Sequence, residues 1–117
     1  MSSSHLTLNL IEGSVSFKFS PQAARELQSA IAQIMERLQA ATVKKTDGAK
    51  TNPQRPIEYQ HTGEVFLEVF CNPNIWPTPF AAKVLITLRD ANIRLTTEAE
   101  LTRVTEDVNQ YLDQVES

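Results

Sequence analysis

The chain has 117 residues, of which 41% are hydrophobic and 21% charged, and its formal net charge is −3. This length and balance suit a single globular domain over residues 1–117, and three glycines and six prolines are too few for a collagen-like or low-complexity chain. The first ten residues lack the basic and apolar regions of a signal peptide, and no apolar run approaches the ~20 residues that span a bilayer. One cysteine cannot form an internal disulfide, so we expect a cytoplasmic protein without membrane contact.

Residues 6–19 predict a β-hairpin. Apolar and polar residues alternate over 6–10 and again over 15–19, on either side of Glu12-Gly13. Alternation with a period of two is typical of strands that bury one face. A two-residue turn at Glu12-Gly13 would place three apolar cross-strand pairs on that face: Leu10 with Val15, Leu8 with Phe17 and Leu6 with Phe19.

An amphipathic helix is predicted from about Pro21 to about Ala41. Ser20 is a favoured N-cap residue, and proline is favoured at the first helical position. The periodicity is lost from Val43 to Thr62, where the polar sequence KKTDGAKTNPQRP contains several helix breakers. We therefore expect a mobile loop over residues 43–62. The apolar positions that recur at helical spacing before it are Leu27, Ile31, Ile34 and Leu38.

The second half of the chain predicts strands, an irregular segment and a final helix. Glu64–Cys71 and Lys83–Arg89 alternate as strands do, and Asn92–Thr96 is expected to be a short return strand. Three prolines exclude a regular element from residues 72–80. The residues from Thr97 to Glu100 have the form of a helix capping box. The apolar stripe of the final helix is Leu101, Val104, Val108, Tyr111, Leu112 and Val115.

These elements predict an α+β fold in the order ββα-loop-βββα, with an antiparallel sheet of four or five strands and two amphipathic helices on one face. The second face of the strands carries Phe66 and Phe70 in one strand and Leu85 in another. Two helices can cover one face of such a sheet but hardly two, so we expect the loop of residues 43–62, the Trp76 segment or another chain to cover the second face. In the last case this second face is the candidate contact surface.

Trp76 lies in a proline-stiffened segment next to these strands. Tryptophan is enriched at interface hot spots, but a lone tryptophan that folds back over one end of the core is an equal alternative. The candidate partner-binding residues are Phe66, Phe70, Trp76 and Leu85.

No catalytic, cofactor-binding or metal-binding residue is assigned. Cys71 is the single candidate thiol nucleophile, but His61 would lie more than ~20 Å away along an extended strand. Cys71 also alternates with Val65, Leu67 and Val69, as a buried and inert cysteine would. Two histidines and one cysteine lack the paired spacings of a zinc site, and neither a phosphate-binding glycine loop nor a Gly-x-Ser-x-Gly motif occurs.

Charge is distributed unevenly along the chain. Residues 44–55 contain four basic residues against Asp47, a local charge of 4 − 1 = +3, whereas one arginine opposes six acids from Thr97 onward, giving 1 − 6 = −5. The acidic chain as a whole argues against nucleic acid as a partner and favours a solvated linker for the basic segment. The acidic helix could attract a basic partner.

The sequence therefore favours a non-catalytic protein-binding adaptor or assembly factor that binds another protein, itself as a homodimer, or both. The alternative is a small-ligand-binding or regulatory domain with a pocket between the helices and the sheet. An enzyme that acts through carboxylates alone ranks third.

Overall fold

The computed structural model describes residues 5–46 and 54–116, with the backbone alone for residues 42–46. Within these ranges the chain forms six β-strands, two α-helices and a short 3-10 turn at Pro79–Ala81. The elements, in chain order, are β1 (His5–Asn9), β2 (Ser14–Lys18), α1 (Pro21–Thr46), β3 (Ile57–His61), β4 (Phe66–Cys71), β5 (Lys83–Arg89), β6 (Arg94–Glu100) and α2 (Leu101–Glu116).

The strands form two antiparallel sheets. β1 pairs with β2, and the other strands form a four-stranded sheet in the order β3-β4-β5-β6. The α+β class, the antiparallel four-stranded sheet and the two helices are thus confirmed. The structure differs from the prediction in that β1 and β2 form a sheet of their own, and in that β3 lies where a loop was expected.

The β1–β2 hairpin has a different turn from the predicted one. Leu8 pairs with Val15 instead of Phe17, which shifts the register by two residues. The Leu10 amide donates to the Gly13 carbonyl at 2.9 Å, and Gly13 adopts a φ of 90° that glycine tolerates. Gly13 is therefore the last residue of the turn, next to β2, and does not occupy one of the two central turn positions as predicted. Because the shift is even, the apolar side chains still share the buried face.

The first helix begins as predicted but ends later. The Ala23 amide donates to the Ser20 hydroxyl at 3.1 Å, so Ser20 caps the helix that starts at Pro21. α1 continues past the expected end at Ala41 to Thr46. Residues 57–61 of the expected mobile loop (residues 43–62) instead form β3, because this strand pairs along its whole length with β4. Residues 47–53 of that loop lie outside the described residues.

The capping box predicted at Thr97 is wrong, because β6 runs to Glu100 and α2 begins at Leu101. Residues 97–100 pair with residues 83–86 of β5. Residues 95, 97 and 99 alternate toward the interior, and two successive threonines at 96 and 97 suit a pleated strand. Pairing with β5 therefore outweighs the local helix-start signal.

Both helices lie against one face of the four-stranded sheet, which we call the inner face. They run antiparallel, since the Gln28 side-chain amide donates to the Asn109 carbonyl oxygen at 2.7 Å and Arg25 forms an ion pair with Glu116. The hairpin lies at the end of the sheet where β3 ends, because the Phe19 ring is 4.9 Å from the His61 ring, centroid to centroid. The inner-face residues of the central strands, all buried in one core with the helices and the hairpin, are Leu67, Val69, Cys71, Val84, Ile86 and Leu88.

Candidate functional site

The face of the four-stranded sheet opposite the helices, which we call the outer face, is the candidate site. Its residues are fixed by the register, because side chains that oppose each other across antiparallel strands share a face. They form four rows across the strands: Lys83–Glu100, Glu58–Phe70–Leu85–Glu98, Gln60–Glu68–Thr87–Thr96, and Phe66–Arg89–Arg94.

The outer face carries apolar side chains in two rows, which the polar row with Glu68 and Thr87 separates. Phe70 and Leu85 oppose each other directly across β4 and β5. Leu85 is 41% exposed, and Phe66 and Phe70 are half-buried by their neighbours in the sheet. All three lie apart from the core that the helices and the hairpin share. The described helices therefore cover the inner face and not these three side chains.

Charges of both signs surround the apolar side chains of the outer face, and Lys83 opposes Glu100 in the row beyond Leu85. Glu58 and Glu98 flank the Phe70–Leu85 pair, whereas Arg89 and Arg94 lie two rows away. The Arg89 guanidinium lies 4.4 Å from the centroid of the Phe66 ring, a cation–π contact. A partner with charges arranged in the opposite sense would complement this surface.

The structure does not place Trp76 on the outer face. Its side chain is half-buried and packs against the core, and its indole N–H is buried without an acceptor among the described residues. Its segment is anchored by Asn74, whose side chain exchanges two hydrogen bonds of 2.7 and 2.8 Å with the backbone of Gln54. The exposed apolar side chains of the segment are instead Ile75, at 62%, and Phe80, at 79%.

The chemistry of Cys71 is that of a core residue. The side chain is 1% exposed, and burial raises the pKa of its thiol to about 11. His61 lies on β3 opposite Leu67, four residues from Cys71, or ~13 Å along the strand. The expected separation of more than ~20 Å is wrong because the chain turns back between β3 and β4, but the two groups are still out of contact range.

A polar cleft of about 260 Å³ lies between β1 and α2. The Asp107 carboxylate in its wall is already occupied, because it accepts hydrogen bonds from the Asn9 amide at 2.7 Å and the Asn9 side chain at 2.8 Å. A second cleft, of about 240 Å³, opens between the helices beside the exposed residues Gln28 and Asn109. Both clefts lie away from the outer face.

The described residues contain no group of three potential metal-binding side chains, and no helix among them is long and apolar enough to cross a membrane. These two findings concern residues 5–46 and 54–116.

The sequence prediction missed the edge-strand residues of the outer face. Glu58 and Gln60 belong to β3, whose signal was the alternation of Ile57, Tyr59 and His61 behind a proline. Glu98 belongs to β6, where the helix-start motif concealed the strand. Comparisons with protein-family models, with curated proteins and with solved structures find no match to this chain.

Proposed function

We propose that this chain is a non-catalytic adaptor or assembly factor that binds a partner protein through the outer face and also forms a homodimer. The direct pairing of Phe70 with Leu85, on a sheet face that the described helices leave open, is the observation that supports this proposal most. Apolar groups grouped in this way are characteristic of contact surfaces.

The energetics favour an apolar segment as the bound group. Complete burial of a Leu or Phe side chain contributes about 1.5–3 kcal/mol, and the outer face offers the exposed part of three such side chains. The charges on either side set the orientation. Basic partner groups suit the row with Glu58 and Glu98, and acidic groups suit the row with Arg89 and Arg94.

Single charge substitutions on the outer face test this function. Phe70→Glu and Leu85→Glu should leave a folded chain, because both side chains lie outside the core. Each should abolish the retention of a specific protein from host-cell lysate by the tagged chain, measured by quantitative mass spectrometry. Phe80→Glu, which changes a more exposed side chain elsewhere, is the matched control and should leave retention unchanged.

Thermal unfolding followed by circular dichroism verifies that the variants are folded. If the wild type and Phe70→Glu retain the same proteins, the outer face is not the contact surface. If Phe80→Glu alone abolishes retention, the contact lies on the segment of residues 72–82 instead.

A further inference from the structure

The hydrogen bonds at the two ends of the β5–β6 ladder determine which backbone groups of β6 point to its free edge. At one end of the β5–β6 ladder the Asp90 amide donates to the Ile93 carbonyl at 3.0 Å, and at the other end the Leu101 amide donates to the Ala82 carbonyl at 3.0 Å. Hydrogen-bonded pairs alternate along an antiparallel ladder, and the register links these two bonds without a break. The β6 residues that bond to β5 are therefore Leu95, Thr97 and Ala99. The residues whose amides point away from β5, toward the free edge, are Arg94, Thr96, Glu98 and Glu100.

Of the features that usually protect an edge strand from pairing, this edge has charged side chains but neither a proline nor a bulge. β6 has seven residues without proline, glycine or lysine, and its pairing with β5 contains no bulge. β3, at the other edge, is shorter and follows Pro56, and Arg37 donates to the carbonyl just before that proline, on Arg55, at 2.8 Å. The Tyr59 hydroxyl also ties β3 to α1 through the Ala23 carbonyl at 3.3 Å. Of these two edges, β6 is therefore the longer one and the one without a preceding proline.

The sequence of β6 is complementary to itself when reversed about Thr97. A two-fold axis perpendicular to the sheet at this residue would pair β6 antiparallel with β6 of a second copy over all seven residues. Thr96 and Glu98 would then exchange backbone hydrogen bonds across the edge, because their amides and carbonyls point there. The side-chain pairs would be Arg94 with Glu100, Leu95 with Ala99, Thr96 with Glu98, and Thr97 with itself.

A like-charge pair within one copy supports the same arrangement. Arg89 and Arg94 oppose each other across β5 and β6, a pairing that is destabilising in a sheet. Glu100 of a second copy would lie beside Arg94 and offset this repulsion. A shift of two residues in one direction would instead bring Glu98 against Glu98, and a shift in the other direction would leave Glu100 outside the pairing.

We propose that two copies of this chain associate through antiparallel pairing of their β6 strands about a two-fold axis at Thr97. The four strands of each copy then form one continuous eight-stranded sheet. The axis is perpendicular to this sheet, so both outer faces lie on the same side. This pairing specifies the contact of the homodimer in the proposed function and rests on that part of it. It does not depend on the partner protein proposed for the outer face, which remains accessible in the dimer.

Charge substitutions test the pairing by sedimentation equilibrium over a wide dilution series. The wild type should show twice the 13.1 kDa mass of the chain. Arg94→Glu and Glu100→Arg should each raise the dimer dissociation constant by about tenfold or more, because each places like charges across the interface. A mixture of these two variants should form a heterodimer, since the acidic side chains of one copy then face the basic side chains of the other at both ends of the pairing. The double variant R94E/E100R should recover a homodimer for the same reason.

Backbone substitutions and hydrogen exchange test the edge directly. Thr96→Pro removes an amide that points to the free edge, so it should give a folded monomer. Thr97→Pro, the matched control, removes an amide that bonds to β5 and should lower thermal stability. In the wild-type dimer the amides of Thr96 and Glu98 should exchange slowly, and in Arg94→Glu they should exchange rapidly, while the amide of Thr97 stays protected in both.

Three results would overturn this inference. The first is a monomer at the highest attainable concentration, and the second is rapid exchange of the Thr96 and Glu98 amides in a dimeric wild type. The third is a dimer that resists Thr96→Pro and both charge variants but dissociates with Phe70→Glu, which would place the two-fold contact on the outer face. Loss of partner retention without loss of the dimer concerns the proposed function alone.

Discussion

The Cys71 thiol lies on the inner face of β4, where its sulfur donates to the Lys83 carbonyl at 3.7 Å. Burial disfavours the thiolate and so raises the pKa from 9.0 to about 11. At neutral pH, this change alone lowers the thiolate fraction about a hundredfold relative to an exposed thiol. Since the thiolate is the reactive form, we expect this thiol to react slowly in the native state.

Labelling of Cys71 by a thiol reagent should therefore be more than about a hundredfold slower in the native protein than in the denaturant-unfolded chain at the same pH. Mass spectrometry gives both rates. Equal rates would mean that the thiol is accessible and that β4 opens readily. Because the chain has a single cysteine, the labelling signal comes from this residue alone.

Alkaline pH should destabilise the native state through the same thiol. The unfolded chain loses the thiol proton near pH 9.0 and the folded chain near about 11. Between these values the unfolded state binds fewer protons, so the free energy of unfolding falls as the pH rises. Tyr59, whose pKa burial raises to about 12, acts in the same direction at higher pH. In urea titrations at several pH values, Cys71→Ala should show a smaller decline between pH 9 and about 11 than the wild type.

At the scale of elements, the hairpin register can be tested energetically. Leu6 opposes Phe17, whereas Leu8 is only its diagonal neighbour. Phe17→Ala should cost about 3–5 kcal/mol, because the ring is buried in the core. A double-mutant cycle for Leu6 and Phe17 should give a coupling energy above about 0.5 kcal/mol, and larger than that for Leu8 and Phe17. A larger coupling energy for Leu8 and Phe17 than for Leu6 and Phe17 would instead support the predicted register, with a turn at Glu12-Gly13.

The strands show which parts of this fold can be predicted from the local pattern of the sequence. Lys83–Arg89 was predicted with its observed bounds, because its alternation is undisturbed. The parity of strand positions alone also placed Phe66, Phe70 and Leu85 on one face. Trp76 lies in a loop without strand alternation, so the direction of its side chain could not be predicted.

Two errors arose where nonlocal pairing decides the structure. Residues 97–100 satisfy both a helix start and a strand, and the choice depends on the distant β5. β3 is short and follows a proline, so its alternation alone is a weak strand signal. Its pairing with β4 decides that it forms a strand. Strand signals of this kind depend on partners that lie far away in the sequence.

At the scale of the whole molecule, Asp107 joins the first and last elements of the chain. Both oxygens of its buried carboxylate accept hydrogen bonds from Asn9, and the Arg103 Nε lies 3.9 Å away. Asp107→Ala should reduce the free energy of unfolding by about 2–4 kcal/mol, because it removes charged hydrogen bonds and leaves part-buried donors on Asn9 unpaired.

Urea denaturation measures this loss, and Glu106→Ala on the exposed side of α2 is the control, with an expected change within about 0.5 kcal/mol. Asp107→Asn should have an intermediate effect, since the amide retains one accepting oxygen. A loss for Asp107→Ala no larger than that of the control would show that other contacts hold the hairpin to α2.

The attachment of β1 to α2 also constrains the order of events during synthesis. The Asn9–Asp107 bonds, and the bond from the Tyr111 hydroxyl to the Phe19 carbonyl, join residues more than 90 positions apart. A nascent chain on the ribosome therefore exposes the apolar face of its N-terminal hairpin until Asp107 and Tyr111 have emerged. Contacts so distant in sequence form slowly, and unprotected apolar strands are prone to aggregate in that interval. Ribosome-bound chains stalled before residue 101 should for this reason bind chaperones that released full-length chains do not bind.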